Sequence, residues 1–172
     1  HIAFTGGPDT ARHIVRGSAE NLASTSLELG GKSPFVVFED ADLESAANAQ
    51  VSGIFAASGQ SCVAGSRLVV AASVKEAFLA KLKAKAEAVI IGAPDDMATE
   101  VGPLCTAAQV ARAEDIIARS LAAGATLVTG GTRLEGAGHY FPPTILDCSA
   151  APDAPCLTEE FFGPVLSAVS FE

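Results

Sequence analysis

The sequence predicts an α/β fold with a mostly parallel β-sheet. Short segments rich in β-branched and aromatic residues alternate with longer segments of helical periodicity, and Gly or Pro separates most of them. Hydrophobic residues make up 49% of the chain and the mean hydropathy is +0.35, which is enough for a buried core. At 172 residues, the chain is long enough for one domain, or for one domain and a piece of another.

The predicted strands are short, as expected for a sheet covered by helices. They are expected at residues 2–4, 24–29, 35–38, 67–71, 126–129, 140–146 and 164–171. The prolines of the segment 140–146 predict an edge strand or a bend, because proline cannot donate a ladder hydrogen bond.

Four helices are predicted between these strands, at residues 10–22, 40–58, 73–89 and 106–123. The expected N-caps are Asp9 or Thr10 for the first helix, Asp40 for the second and Ser73 for the third. Gly124 is expected to end the fourth helix. The second helix is apolar nearly all round, which predicts a buried position.

Composition excludes several functional classes. A net charge of −9 without a basic cluster argues against nucleic-acid binding. No apolar run approaches the roughly 18–20 residues of a membrane span, and the first residues do not resemble a signal peptide. Three histidines and four cysteines show no metal-ligand spacing, so no metal site is predicted. We expect a reducing, cytoplasmic setting, which argues against a bond between Cys148 and Cys156 although they are near enough to meet.

The stretch LELGGKSP at residues 27–34 places a carboxylate, Glu28, between two leucines at the end of a predicted strand. Burial there would raise its pKa and suit it to act as a general base. Taken alone, however, the pattern favours an ordinary strand-edge glutamate that faces solvent.

The stretch GQSCVAGS at residues 59–66 surrounds Cys62 with small residues. These residues would leave room for a substrate, and backbone N–H groups of such a loop could bind an oxyanion. Taken alone, a buried structural cysteine is the commoner outcome, because no histidine nearby indicates a Cys–His pair. A third stretch, EEFFGPV at residues 159–165, would by itself be an ordinary entry into a strand.

Together, these stretches resemble the signature motifs of the aldehyde dehydrogenase superfamily, which have the forms LELGGKxP, GQxCxAxxR and EExFGPV. They occur here in the family order, with Cys62 34 residues after Glu28 and Glu160 98 residues after Cys62. The segment FTGG at residues 4–7 resembles the family's FTGS turn, and GHYFPPT at residues 138–144 resembles its GxFxxPT segment. The resemblance therefore covers essentially the whole chain.

The resemblance implies an aldehyde-dehydrogenase-like catalytic domain, a Rossmann-related three-layer αβα fold with a mostly parallel sheet. It implies that Cys62 is the nucleophile, that its own backbone N–H helps to bind the oxyanion, and that Glu28 activates the hydrolytic water. The implied cofactor is NAD or NADP, and the implied substrate is a small aldehyde. The family further implies a homodimer or homotetramer for the full-length enzyme.

Six further residues match family positions at the cofactor site. The resemblance implies that Glu160 binds the nicotinamide ribose and that Phe162 lies beside the nicotinamide. It also implies backbone contacts of the cofactor at the pair Gly6 and Gly7, and a nicotinamide site lined by Leu29 and Gly30. Gly7 replaces the serine of the FTGS turn, so a hydroxyl contact to the cofactor phosphate is expected to be missing.

The same resemblance divides the chain. Residues 1–29 resemble the C-terminal tail of a dinucleotide-binding domain, and residues 30–172 resemble a catalytic domain that is incomplete at its C-terminus. The family's adenosine-binding lysine and oxyanion asparagine would precede His1. Two other interpretations remain open at this stage: a CoA-acylating member of the superfamily, against which Glu28 argues, and a catalytically silent fragment that serves as an interaction module.

Overall fold

The computed structural model describes residues 1–172 and divides into two compact units, His1–Gly31 and Lys32–Glu172. The first unit is a βαβ element of strand β1 (Ile2–Gly6), helix α1 (Pro8–Ser18) and strand β2 (Thr25–Leu29). The two strands are parallel neighbours.

Helix α1 begins differently from the prediction. Its N-cap is Gly7, which makes no side-chain capping bond, and Pro8 occupies the first helical turn. Proline suits that place because its missing N–H would have no partner inside the helix. The predicted caps Asp9 and Thr10 are therefore wrong, and Asp9 instead pairs with Arg12 on the first turn.

The second unit contains a five-stranded sheet in the order β3-β4-β7-β6-β5. Its strands are β3 (Pro34–Val37), β4 (Arg67–Ala71), β5 (Thr126–Thr129), β6 (Thr144–Asp147) and β7 (Val165–Phe171). Every pair is parallel except β5 with β6. The sheet is thus mostly parallel, with one antiparallel strand at an edge.

Helices cover both faces of this sheet, which makes three layers. Helices α2 (Leu43–Phe55) and α3 (Lys75–Ala88) pack on one face, and α4 (Ala107–Ala122) packs on the other. Strand β7 divides its side chains between the two cores: Leu166 and Ala168 enter the first, while Val165 enters the second. The predicted α/β fold with its three-layer, mostly parallel architecture is confirmed.

Two other caps were predicted at the wrong residue. Asp42, not Asp40, caps α2, and it accepts hydrogen bonds from the backbone N–H groups of Glu44 and Ser45. Helix α3 begins at Lys75 without a side-chain cap, because the Ser73 hydroxyl is directed toward Glu39 instead.

Residues 140–146 were predicted to form an edge strand or a bend, but the strand in this segment is not at an edge of the sheet. Strand β6 lies between β7 and β5, and Thr144, Ile145 and Leu146 are fully buried. The prolines end at position 143, so the first backbone N–H that the ladder requires is that of Thr144, which donates to Pro164 O at 2.9 Å. Gly124 ends α4 in a left-handed conformation (φ +100°), as predicted.

No helix of the structure is both long enough and apolar enough to cross a membrane.

Candidate active site

Cys62 follows a strained turn at the end of α2. Ala57, Ser58 and Gly59 all adopt left-handed conformations, with φ of 50°, 55° and 70°. For a residue with a Cβ, such a conformation costs on the order of 1 kcal/mol. The buried Ser58 hydroxyl donates to Gly102 O at 2.9 Å, and this bond helps to hold the turn in place.

Gly59 brings the second and third sequence motifs into contact. A Cβ built on Gly59 would lie 2.2 Å from Gly163 O and 2.3 Å from Gly163 C. No residue other than glycine fits this space without moving the backbone. The Cys62 loop and the loop of residues 159–164 therefore pack against each other, backbone against backbone.

The Cys62 thiol is free and exposed at the tip of its loop. Behind it, the Ala64 amide donates to Ser61 O at 3.1 Å, and the buried Gln50 amide donates to Gly65 O at 2.7 Å. The backbone N–H groups of Cys62 and Val63 donate to no group of the chain. The loop thus presents a thiol beside two unused amide donors, which is the arrangement an oxyanion site requires.

A glutamine that the sequence analysis did not single out braces the same loop. The Gln60 side-chain oxygen accepts a hydrogen bond from the Cys105 backbone N–H at 3.1 Å. Cys105 is exposed and free. Because the two residues lie 45 positions apart, no local pattern could have indicated this contact.

Two arginines of α4 hold the loop of residues 159–164. Arg119 binds Glu159 through two hydrogen bonds of 2.8 and 3.0 Å, and Arg112 donates to Glu160 O at 2.9 Å. The Arg119 guanidinium lowers the pKa of the Glu159 carboxyl below its usual range. A spacing of seven residues places both arginines on one face of the helix, and this periodicity could have indicated a shared target.

The two phenylalanines of this loop have different environments. Phe161 is buried, and the Lys32 ammonium lies 4.6 Å from its ring centroid. Phe162 is 37% exposed and left-handed (φ 52°), so a strained backbone directs its ring outward. The loop therefore offers an exposed aromatic ring beside Glu160.

Lys32 links the first motif to the third within the second unit. Its Nζ is buried and has no hydrogen-bond partner, and burial lowers its pKa to about 8, with the nearby Arg67 acting in the same direction. The cation–π contact with Phe161 offsets part of the cost of burying this charge.

The remaining predicted site residues lie in the first unit. Glu28 is exposed on β2, directly opposite Thr5 of β1. This is the solvent-facing position that the local pattern alone favours, and Leu27 and Leu29 point to the other face of the strand.

Gly6 ends β1, and Gly7 stands at the N-terminus of α1. The backbone N–H groups of Asp9 and Thr10 in the first turn have no partner in the chain. Such free amide groups at a helix N-terminus favour an anion. Leu29 is half-buried at the end of β2, and the exposed Gly30 follows it.

The Aldehyde dehydrogenase family model matches residues 1–172, which is the whole chain. The chain belongs to this family. The chain is similar to a (Z)-2-((N-methylformamido)methylene)-5-hydroxybutyrolactone dehydrogenase from Acinetobacter baylyi, 59% identical over 171 residues. A betaine aldehyde dehydrogenase from Rhizobium leguminosarum is 41% identical over 174 residues. The match covers 99% of this chain but only 35% and 36% of these two relatives. The chain thus spans about a third of their length.

Solved aldehyde dehydrogenases have the same fold. The NAD+ complex of the Bacillus cereus enzyme matches with a TM-score of 0.94 and 39% identity, over 99% of this chain and 34% of that one. The Staphylococcus aureus betaine aldehyde dehydrogenase in complex with NAD+ matches with a TM-score of 0.93 and 35% identity, over 99% of this chain and 35% of that one. Several of the similar structures are complexes with NAD+ or NADP.

Proposed function

We propose that this chain supplies the thiol-bearing part of an enzyme that oxidises an aldehyde to a carboxylic acid with NAD+ or NADP+. The observation that carries the proposal is the exposed Cys62 on a braced loop with two unused amide donors, in a chain that belongs to the aldehyde dehydrogenase family. The substrate is a small-molecule aldehyde.

Cys62 is the proposed nucleophile. Its thiolate attacks the aldehyde carbon, and the carbonyl oxygen becomes an alkoxide that the amides of Cys62 and Val63 can stabilise. A nicotinamide dinucleotide, when bound, supplies the acceptor for the hydride that this carbon loses, so that a thioester remains on Cys62. A thiolate suits both steps because it is a strong nucleophile and a good leaving group.

Glu28 is the proposed general base for the second half of the reaction. It removes a proton from water while the water oxygen adds to the thioester carbonyl. The C–S bond then breaks, the carboxylic acid leaves, and the Cys62 thiolate is restored. The exposed carboxylate of Glu28 is accessible to water, which this role requires.

The residues present fit a dinucleotide. The free amides at the N-terminus of α1, next to Gly6 and Gly7, suit its phosphates, and the space around the Gly7 Cα is open. We assign Leu29 and Gly30 to the nicotinamide site as well. In the second unit, Glu160 is the proposed ligand of the nicotinamide ribose and Phe162 the ring beside the nicotinamide.

We further propose that residues 1–29 are the tail of a dinucleotide-binding domain and that residues 30–172 form most of a catalytic domain. The protein would work in the cytoplasm as a homodimer or homotetramer. Because the chain spans about a third of its relatives, we expect the 172-residue piece alone to be inactive and the whole protein to turn over.

The decisive experiment replaces one cysteine at a time in the whole protein. Cys62→Ser should abolish NAD(P)+-dependent aldehyde oxidation, because the hydroxyl is a much weaker nucleophile than the thiolate. Cys105→Ser is the matched control, since Cys105 is also exposed and free, and its backbone contact to Gln60 survives the change. Normal turnover by Cys62→Ser, or equal loss in both variants, would contradict the proposal.

Glu28→Gln tests the base. The variant should release one burst of NAD(P)H per site and then stall, because the thioester forms but is not hydrolysed. Glu20→Gln, an exposed residue of the same unit, should leave the rate unchanged. A steady-state rate of Glu28→Gln equal to that of the unmodified enzyme would remove Glu28 from this role.

A further inference from the structure

Two buried cysteines meet in the core of the second unit, below α4. Cys148 directly follows β6, and Cys156 lies in the short 3-10 helix Pro155–Leu157. Both are fully buried and free, and their sulfur atoms are 3.1 Å apart. The sequence places them near each other, and the structure brings their thiols into direct contact.

Backbone hydrogen bonds fix both cysteines in this position. The Cys148 amide donates to Ala168 O at 2.8 Å, on the neighbouring strand. The Cys156 amide donates to the Ser120 hydroxyl at 3.1 Å, and the Ser167 hydroxyl donates to Cys156 O at 2.7 Å. All these partners belong to the sheet or to α4, so the scaffold itself holds the sulfurs together.

The surroundings favour a thiol–thiolate pair over two neutral thiols. The hydrogen bond from Cys148 lowers the pKa of Cys156, and the nearby Lys32 ammonium acts in the same direction. The same hydrogen bond raises the pKa of Cys148. Lys32 has no hydrogen-bond partner for its buried Nζ, so a negative charge on Cys156 also compensates this cation.

We propose that Cys148 and Cys156 form a dithiol–disulfide modification site that a small hydroperoxide, such as hydrogen peroxide, oxidises. The Cys156 thiolate attacks one peroxide oxygen, the O–O bond breaks, and Cys156 becomes a sulfenic acid as hydroxide leaves. The Cys148 sulfur then attacks the Cys156 sulfur, and the second oxygen leaves as water after taking up the Cys148 proton. In sum, two thiols lose two electrons and two protons, and one peroxide becomes two molecules of water.

Burial makes this site selective for the size of the oxidant. Neither cysteine has exposed surface, and both pack in the core cluster, so only a transient local opening can admit an oxidant. Hydrogen peroxide needs a much smaller opening than glutathione disulfide, which would also have to leave a bulky adduct in a close-packed core. Closure to a bond of about 2.05 Å needs the sulfurs to approach by only about 1 Å. The site uses neither Cys62 nor Glu28, so it stands independently of the proposed function.

A disulfide between Cys148 and Cys156 would also affect the candidate active site, because Cys156 lies close in sequence to the loop of residues 159–164. Cys156 lies three residues before Glu159, and the Glu159 amide donates to Pro155 O at 2.8 Å. A bond between Cys156 and Cys148 would therefore restrict the movement of the residues that lead into the loop of residues 159–164.

The test uses the whole protein with Cys62→Ser and Cys105→Ser, so that the exposed thiols do not interfere. After treatment with hydrogen peroxide, the intact mass should fall by the mass of one hydrogen molecule. Proteolysis on the amino side of Asp153 separates the two cysteines in sequence, so the two peptides should stay joined until dithiothreitol is added. Glutathione disulfide should leave both thiols free, and Cys156→Ser should yield no joined peptides.

A second measurement needs no substitution in the pair. Closing a loop of this size raises the thermal midpoint by roughly 5 °C, so oxidised protein should melt above reduced protein. The peroxide dose is calibrated on a second protein that retains Cys105, as the dose that oxidises this exposed thiol completely. The proposal is overturned if the two peptides separate without reductant after treatment with that dose. An equal midpoint for the two redox forms overturns it as well.

Discussion

Gly59→Ala is the substitution that most directly probes the junction between the Cys62 loop and the loop of residues 159–164. The new Cβ would lie 2.2 Å from Gly163 O, whereas real Cβ atoms stay at least 3.0 Å away. The backbone must therefore open by close to 1 Å, which costs about 1–3 kcal/mol. Alanine at φ +70° adds on the order of 1 kcal/mol.

The expected loss of unfolding free energy is thus about 2–4 kcal/mol, which for a unit of this size lowers the thermal midpoint by roughly 5–15 °C. Since the opening displaces Cys62 relative to the loop of Glu160, dehydrogenase activity in the whole protein should fall even at temperatures where it is folded. Differential scanning calorimetry and steady-state assays measure the two effects separately.

The matched control is Gly53→Ala, six residues earlier in the same segment. Gly53 lies within α2, and a Cβ there would meet nothing within 4 Å. Alanine should therefore raise the stability by about 0.5–1 kcal/mol, through its better helix propensity. If Gly59→Ala melts within 1–2 °C (about 0.5 kcal/mol) of the unmodified protein while Gly53→Ala behaves as expected, the close contact with Gly163 is not a constraint and the reasoning fails.

Three further predictions concern charged groups. Arg119→Lys loses the two-pronged bond to Glu159, so the KM for NAD(P)+ should rise several-fold with little change in the thermal midpoint, whereas Arg133→Lys in an exposed loop should change neither. Burial lowers the pKa of Lys32 to about 8, so between pH 8 and the unfolded value of 10.5 the folded state binds fewer protons than the unfolded state. The free energy of unfolding should therefore rise with pH across this window, and the rise should be smaller in Lys32→Met. Denaturant titrations at several pH values measure it in both proteins, and an equal dependence of the unfolding free energy on pH would refute this. Burial alone would raise the pKa of Asp147, but hydrogen bonds hold this pKa below its ordinary value of 3.8. The ionised carboxylate therefore contributes its full stabilisation to the free energy of unfolding above pH 3.8, and this stabilisation is lost as the pH falls further. Asp147→Asn should accordingly show a shallower acid limb in a stability–pH profile.

Local sequence determined the positions of most elements. Strands β4 and β5 occupy the predicted residues, 67–71 and 126–129, because each contains a short run of adjacent aliphatic residues with serine or glycine a few positions away on either side. The end of α4 at Gly124 follows from a conformation that glycine adopts without strain. In these cases a short window of residues contains the whole physical cause.

Helix caps were predicted less well, because several oxygens compete within a few residues. Asp40 and Asp42 could both cap α2, and only the packing of Leu43 and the following turns against the sheet decides in favour of Asp42. Ser73 would cap α3 in isolation, but its hydroxyl lies toward Glu39, which is distant in sequence. Residue propensity identifies the possible N-cap residues, and tertiary contacts determine which of them caps the helix.

The site depends on contacts that no sequence window contains. The motifs single out Cys62 and Glu160, but they do not show that Gly59 packs on Gly163 or that Arg119 holds Glu159. The exposure of Glu28, which the local pattern favours, has a local cause: a strand alternates its faces, so flanking leucines place the residue between them on the opposite face. That rule was available from the sequence.

Backbone strain is concentrated beside the candidate active site. Of the four non-glycine residues with positive φ, three stand next to the two loops that pack together: Ala57, Ser58 and Phe162. Each costs on the order of 1–3 kcal/mol and persists only because neighbouring contacts hold it. The Ser58 bond to Gly102 and the arginine contacts of α4 supply such restraint. Strain of this kind clusters at functional sites, so we expect that relieving it would improve stability at the expense of turnover.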